Sequence, residues 1–412
     1  MVIKRNILFE VLLLELLCYV PLAIIAGNIL PPLGSLKFHW IYIGLVFLIT
    51  LMVLIKNNRA TGLFLLILIF SVIQKAIAID FSIKDIIDFI SGPLLFIAVV
   101  DIVCYSEIQL ETLKSYRKKF LFFAATPIVI AILQFLKLIP LEILNASYVN
   151  VTVFGSEKIE RVNGYLFHGI ELAVIIAFFF INIALLGSNM KIYILFATMI
   201  VLEFITKIKS GILTSITYLG FFTYFIDERF KFIKAIVFTC LIIAGASFIY
   251  ILVPDIKSQR FNFNPSNFKF EEQLFTGRGL IWNIYIKGIR QMDITQVIFG
   301  CGYGSSPEIF RQNSIGTTAF GKTAPGPHNQ FLELFVNGGL FALWFMYFVL
   351  QNQYRKLKRL LNNHILVFRY YWAIILIPLF IMGLTAPIMS MFIYWCGLSY
   401  VIVGLKIKFI NA

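Results

Sequence analysis

Apolar residues run along this chain in long unbroken blocks, separated by short polar interruptions, and the blocks recur at nearly constant length. Most are close to twenty residues, which at about 1.5 Å rise per residue matches a hydrocarbon core of roughly 30 Å. They predict membrane-spanning helices near 7–28, 38–55, 61–79, 86–105, 119–138, 169–187, 190–206, 211–226, 233–253, 330–350, 370–386 and 389–405, about twelve in all. The first follows Lys4 and Arg5 and ends near Ala26-Gly27-Asn28. Its apolar run exceeds the roughly 7 to 15 residues of a secretory signal core, so it reads as an uncleaved helix.

One interruption is out of scale with the rest. Residues 254–329 divide a nine-helix region, 1–253, from a three-helix region, 330–412, within one integrated membrane domain. Loops of this length are functional or disordered. Disorder is disfavoured by composition, because Phe261, Phe263, Phe268, Phe270, Phe275, Trp282, Tyr285, Phe299 and Tyr303 lie among its charges. Within it, Ile281, Ile284, Tyr285, Gly288 and Ile289 share one helical stripe. That spacing predicts an amphipathic helix, capped by Thr276, lying on the membrane surface or against the bundle. The fold class is therefore an all-α polytopic membrane protein with an ordered extracytoplasmic cap between its ninth and tenth helices.

Composition agrees: 60% of residues are hydrophobic, mean hydropathy is +0.89, and 14% are charged, against roughly 25% in soluble domains. Charge then orients the bundle. With the N-terminus inside, Lys56, Arg59, Lys114, Arg117, Lys118, Lys119, Lys191, Arg229, Lys231, Lys234, Arg355, Lys356, Lys358, Arg359, Arg369, Lys406 and Lys408 all fall on inward loops or ends. This asymmetry predicts cytoplasmic termini and a cap facing the periplasm or exterior. The net charge of +14 is accounted for by topology and anionic lipid, which argues against nucleic acid. Cys18, Cys104, Cys240 and Cys396 lie in or beside spans and Cys301 stands in the outer loop, a spacing that indicates neither a disulfide framework nor a zinc site.

Candidate chemistry gathers on the outer side. Arg278 occupies the first turn of the predicted cap helix, where a cation is unfavourable unless an anion binds beside it; the bland alternative is a snorkelling surface arginine. Phe299-Gly300-Cys301-Gly302-Tyr303-Gly304 lacks the βαβ context of a nucleotide site and reads as a tight turn beneath a ligand. Pro327 is expected in the first turn of the tenth span, leaving His328 and Asn329 at a helix mouth whose N–H groups favour an anion and keep the imidazole available as a base; a histidine merely lining a helix start is the alternative. Arg161, His168 and Glu171 cluster at the outer end of the sixth span, and the Lys207-Ile208-Lys209 turn adds two lysines. A basic outer cavity beneath an aromatic cap suits a phosphorylated lipid. Glu10 and Asp101 fall near the cytoplasmic end, where solvation is expected, while Glu15 and Glu203 read as a transporter's proton relay or, more simply, as buried partners of outer-face cations.

Arg161-x-x-Gly164, Lys209-Ser210-Gly211, Gly277-Arg278-Gly279-Leu280-Ile281-Trp282, the glycine-rich turn, His328-Asn329 and Gly338-Gly339, in that order, resemble the O-antigen polymerase and ligase superfamily of bacterial surface-polysaccharide assembly. The resemblance is strongest over 161–339. It implies an inverting glycosyltransferase of the bacterial cytoplasmic membrane, with no cofactor and no metal, using a polyprenyl-pyrophosphate-linked oligosaccharide. His328, Arg278 and Arg161 would be catalytic, and Lys209, Asn329, Trp282, His168, Glu171 and Tyr303 would bind substrate. Where the family often carries arginine this chain has Lys209, which supplies charge without the bidentate fork. The cap-helix motif and the glycine turn look more like a polymerase than a ligase. A chain-length regulator and a flippase are the implied partners, and a transporter of the same lipid-linked glycan is the competing class. A transporter is disfavoured because no internal repeat with broken midplane helices is evident.

Overall fold

Peptide groups in hydrocarbon have no water to bond, so an apolar block of membrane length closes its hydrogen bonds as a helix. The computed structural model describes residues 7–17, 34–56, 69–76, 83–105, 108–139, 150–153, 157–160, 166, 169–185, 189–205, 209–222, 278–314, 326–361, 364–384, 386, 389 and 391–410. In chain order these form α1 (Ile7–Leu17), α2 (Gly34–Lys56), α3 (69–76), α4 (Ile83–Tyr105) and α5 (Leu110–Phe135). Then follow α6 (Gly169–Ala184), α7 (Asn189–Ile205) and α8 (Lys209–Phe221). The cap contributes α9 (Arg278–Ile289), α10 (Ile294–Phe299) and α11 (Ser306–Asn313), and α12 (Gln330–Leu360), α13 (His364–Ile381) and α14 (Phe392–Ile410) complete the bundle. The all-α expectation is modified by one antiparallel pair, β1 (Asn150–Val153) with β2 (Glu157–Glu160), in register Asn150 to Glu160.

Among the described residues, four helical stretches are long and apolar enough to cross a membrane: Asp85–Cys104, Leu110–Phe135, Gln330–Leu360 and Phe392–Phe409. Tyr42–Ile55, Ile170–Ala184, Ile194–Phe204 and Val367–Ile381 are shorter apolar helices. The chain is thus a helical membrane protein. The expected ninth span at 233–253 lies outside the described residues, as do 254–277 and Cys18 and Cys240.

A helix apolar on every side belongs in the middle. α4 is buried without interruption from Phe89 to Val103, and α14 from Phe392 to Ile407. The two pack closely at Gly92, where any Cβ would overlap the Trp395 indole. α5 has a quite different surface, with Phe122 and Val129 exposed as a lipid-facing side requires.

Basic side chains gather at one end of this bundle and bond helix C-termini. Lys406 Nζ donates to Val103 O, Lys408 Nζ to Leu185 O at 3.0 Å, and Arg117 donates to Asn182 O at 2.6 Å. Cations are favourable at the carbonyl ends of helices. Asp101 departs from its expected solvation: it is 2% exposed and pairs with Lys356 at 2.5 Å, because α12 brings a lysine to a carboxylate that α4 buries. Glu10 is exposed as expected, paired with Lys119 at 2.8 Å.

Candidate functional site

At the opposite end of the bundle the cap helices sit on the start of α12. The predicted stripe is buried: Ile281, Ile284 and Tyr285 of α9 pack with Ile309 and Phe310 of α11, Cys301, and Val336 of α12. The helix lies against the bundle. Gly288 allows the approach, since a Cβ there would meet Ile309 Cγ2 at 2.7 Å. Tyr285 closes the packing by donating its hydroxyl to Ser306 O at 3.1 Å. Burial pushes its phenol well above the ordinary value, and the nearby Glu333 carboxylate adds to the shift.

The glycine-rich turn proves to be a docking device. Gly339, inside α12, has φ 61° and ψ −157° and breaks the helix. The break frees Val336 O and Asn337 O, which accept from Cys301 N at 2.8 Å and Gly302 N at 3.2 Å. Irregular backbone at membrane depth persists only where protein re-satisfies it in this way. Ser306 Oγ adds a bond to Asn337 Oδ1 at 2.7 Å. Gln74 of α3 fastens the same turn from the other side: its amide nitrogen donates to Phe299 O, and its oxygen accepts from Tyr303 N at 3.1 Å. Tyr303, expected at the substrate, is 4% exposed, with its ring stacked on Phe89 at 4.7 Å and edge-on to Phe70. It inserts into the main core and anchors the turn. Burial raises both its phenol and the Cys301 thiol, the latter to about 11 with help from Asp293, which leaves Cys301 inert.

Asn329 is the N-cap of α12. Its Oδ1 accepts from Phe331 N at 3.0 Å and Leu332 N at 3.1 Å, its Nδ2 donates to Leu384 O at 3.4 Å, and Gln330 N donates to Gly383 O at 2.7 Å. Two expectations are corrected by this arrangement. Pro327 precedes the cap instead of opening the helix. The first N–H groups of α12 are already taken by Asn329 and Gly383, so they offer no open anion cradle.

His328 lies immediately before the cap, exposed, at φ 49°. Non-glycine residues are sparse in this left-handed region, histidine being among those enriched there, and such outliers gather at functional sites. Trp282 Nε1 donates to Pro327 O at 3.0 Å, holding the peptide that leads into His328. Arg278 opens α9 one turn before Trp282. The structure therefore brings together the Arg278 helix, Trp282 and the His328-Asn329 pair.

Glu171 is half-buried in the first turn of α6, where its charge complements the helix dipole, and Lys209 opens α8. Arg161 and His168 lie outside the described residues, as does the expected cap Thr276. Gln74, Gln330 and Glu333 were not singled out by sequence reasoning. Gln330 is 1% exposed and accepts from Met389 N at 2.5 Å, joining α12 to the segment before α14. A glutamine with an apolar block on one side was the available signal for both glutamines.

A helical membrane protein with an ordered cap seated on a broken helix, and an exposed histidine beside a tryptophan and an arginine-bearing helix, is the class that the fold and site define. Residues 194–347, from α7 to the middle of α12, match the family model described as O-Antigen ligase. The match covers less than half of the chain, and over that segment the chain is similar to this family. No curated protein matches the chain.

Proposed function

We propose that this chain is a polysaccharide polymerase, transferring a polyprenyl-pyrophosphate-linked glycan onto the next lipid-linked repeat unit at the outer face of the bacterial cytoplasmic membrane. The observation that carries the reading is the Trp282–Pro327 hydrogen bond, which ties the helix opened by Arg278 to His328. Catalytic groups must be held by packing to work, and here the anchor is a half-buried indole inside the family's own segment.

In this reading the acceptor hydroxyl attacks the anomeric carbon as the bond to the pyrophosphate oxygen breaks. His328 takes the hydroxyl proton, and the polyprenyl pyrophosphate leaves with the bonding pair. Attack from the face opposite the leaving group inverts the anomeric centre. Arg278 and Arg161, with Lys209, balance the charge that grows on the leaving pyrophosphate, an interaction stronger in the transition state than before it. Glu171, His168 and Asn329 border the substrate or support the groups that do, and no metal or cofactor takes part. A positioned base contributes about 10² to 10⁴-fold. The basic end of the bundle faces the cytoplasm, and the cap faces outward.

Deletion of the gene in its host, with complementation by wild type, Arg278→Ala or His328→Ala at matched abundance, tests the reading. The expected result is at most single repeat units on the surface for the deletion and both variants. Long chains that accumulate on the carrier lipid would show a ligase instead. Repeat units trapped on the cytoplasmic leaflet would show a transporter.

A further inference from the structure

Glu203 is an ionisable group in an expensive place. It stands in the last turn of the apolar helix α7, fully buried, where ionisation would also oppose the helix dipole. A carboxylate inside a membrane bundle is a functional candidate by default.

Small residues make room for it. A Cβ on Gly211 of α8 would overlap Glu203 Oε2, would lie 2.9 Å from its Cδ, and would meet Ala173 Cβ of α6 at 3.1 Å. The carboxylate thus rests on the bare backbone face of Gly211, two residues after Lys209, at a junction of α6, α7 and α8. Ala173 is two residues beyond Glu171. Ser215 then donates its hydroxyl to Gly211 O at 3.0 Å, fixing the same turn from within α8.

We infer that Glu203 is a positioning residue of the outer site: its carboxylate, seated on Gly211, fixes the first turn of α8 and so sets where Lys209 stands toward the pyrophosphate of the donor. The inference rests on the proposed donor chemistry and adds to it a residue that touches no substrate. It also gives Gly211 a reason that backbone conformation does not supply, since the residue is an ordinary helical one and only the absence of a Cβ matters.

The test uses the full chain in lipid nanodiscs and geranylgeranyl pyrophosphate as probe, with affinity and melting temperature measured together. Glu203→Gln is expected to weaken binding about tenfold or more while melting as wild type does, because a misplacement near 1 Å is felt strongly at such sites. Glu203→Asp, which keeps the carboxyl group, should recover most of the affinity. Gly211→Ala should match Glu203→Gln, and the double variant should bind no worse than either single one. Unchanged affinity in Glu203→Gln overturns the inference, as does a loss that only follows the fraction of unfolded protein. If those results accompany a wild type that binds the probe and an Arg278→Ala variant that does not, the donor reading stands and the inference alone fails. A wild type that ignores the probe overturns both.

Discussion

Gly300 and Gly339 face each other across the contact between the cap and α12, and neither can carry a side chain. Their backbones, at φ 81° with ψ −178° and φ 61° with ψ −157°, occupy a region that glycine alone enters readily. A Cβ on Gly339 would stand 2.5 Å from Gly300 N and Ile298 O. Gly339→Ala should therefore destabilise the protein by about 3 kcal/mol or more, through strain and loss of the docked turn together, and a melting curve of the purified protein checks it. Trp282→Phe is a milder change that keeps the ring and removes the bond to Pro327 O. Its stability cost should be about 1 kcal/mol, while glycan transfer falls at least tenfold because His328 is no longer held; a larger loss of stability than of transfer would contradict the assigned role. The glycines at 300, 302 and 304 are legible in the sequence as a tight turn, whereas the break at Gly339 falls inside what reads as an unbroken span. That the turn and the break fit one another is not legible, because the pairing is a contact between segments distant in sequence.

At the scale of elements, periodicity read well where one face of a helix is buried and poorly where a terminus is set by tertiary contacts. The α9 stripe at Ile281, Ile284 and Tyr285 was visible in the spacing, and it packs as that spacing requires. The tenth span is expected from 330, where α12 begins, but Pro327 lies outside its first turn because proline preference for that turn is weaker than the pull of Asn329, whose side chain caps the helix. Likewise Asp101 could be placed at a helix end from sequence, but its burial depends on where α12 and α14 run. Its pair with Lys356 makes a sharp expectation. Lys356→Met alone should cost about 3–5 kcal/mol by leaving Asp101 buried without its cation, whereas Lys356→Met with Asp101→Leu should lie near wild type. Denaturant titration of the three proteins decides it. Equal costs for the single and double variants would mean that the pair is not the stabilising feature.

For the whole molecule, hydropathy and charge asymmetry gave the class and the grouping of ends. Arg117, Lys356, Lys406 and Lys408 do meet at one end of the bundle, away from the cap. In a variant with every native cysteine replaced, cysteine introduced at His328 should react with a membrane-impermeant maleimide in intact cells. One introduced at Arg355 should react only after the membrane is opened. The reverse labelling would overturn the proposed orientation and with it an outward-facing site.

Elongation of a lipid-linked glycan by these residues is measurable with purified components alone. The full chain in lipid nanodiscs is supplied with the host's own lipid-linked repeat units and no other protein, and carrier-linked products are resolved by size. A ladder of longer chains is expected from wild type, with yield reduced by about 10²-fold or more in His328→Ala and in Arg278→Ala. Repeat units that stay single with wild type, under conditions where the protein is folded and binds them, would contradict the proposed function.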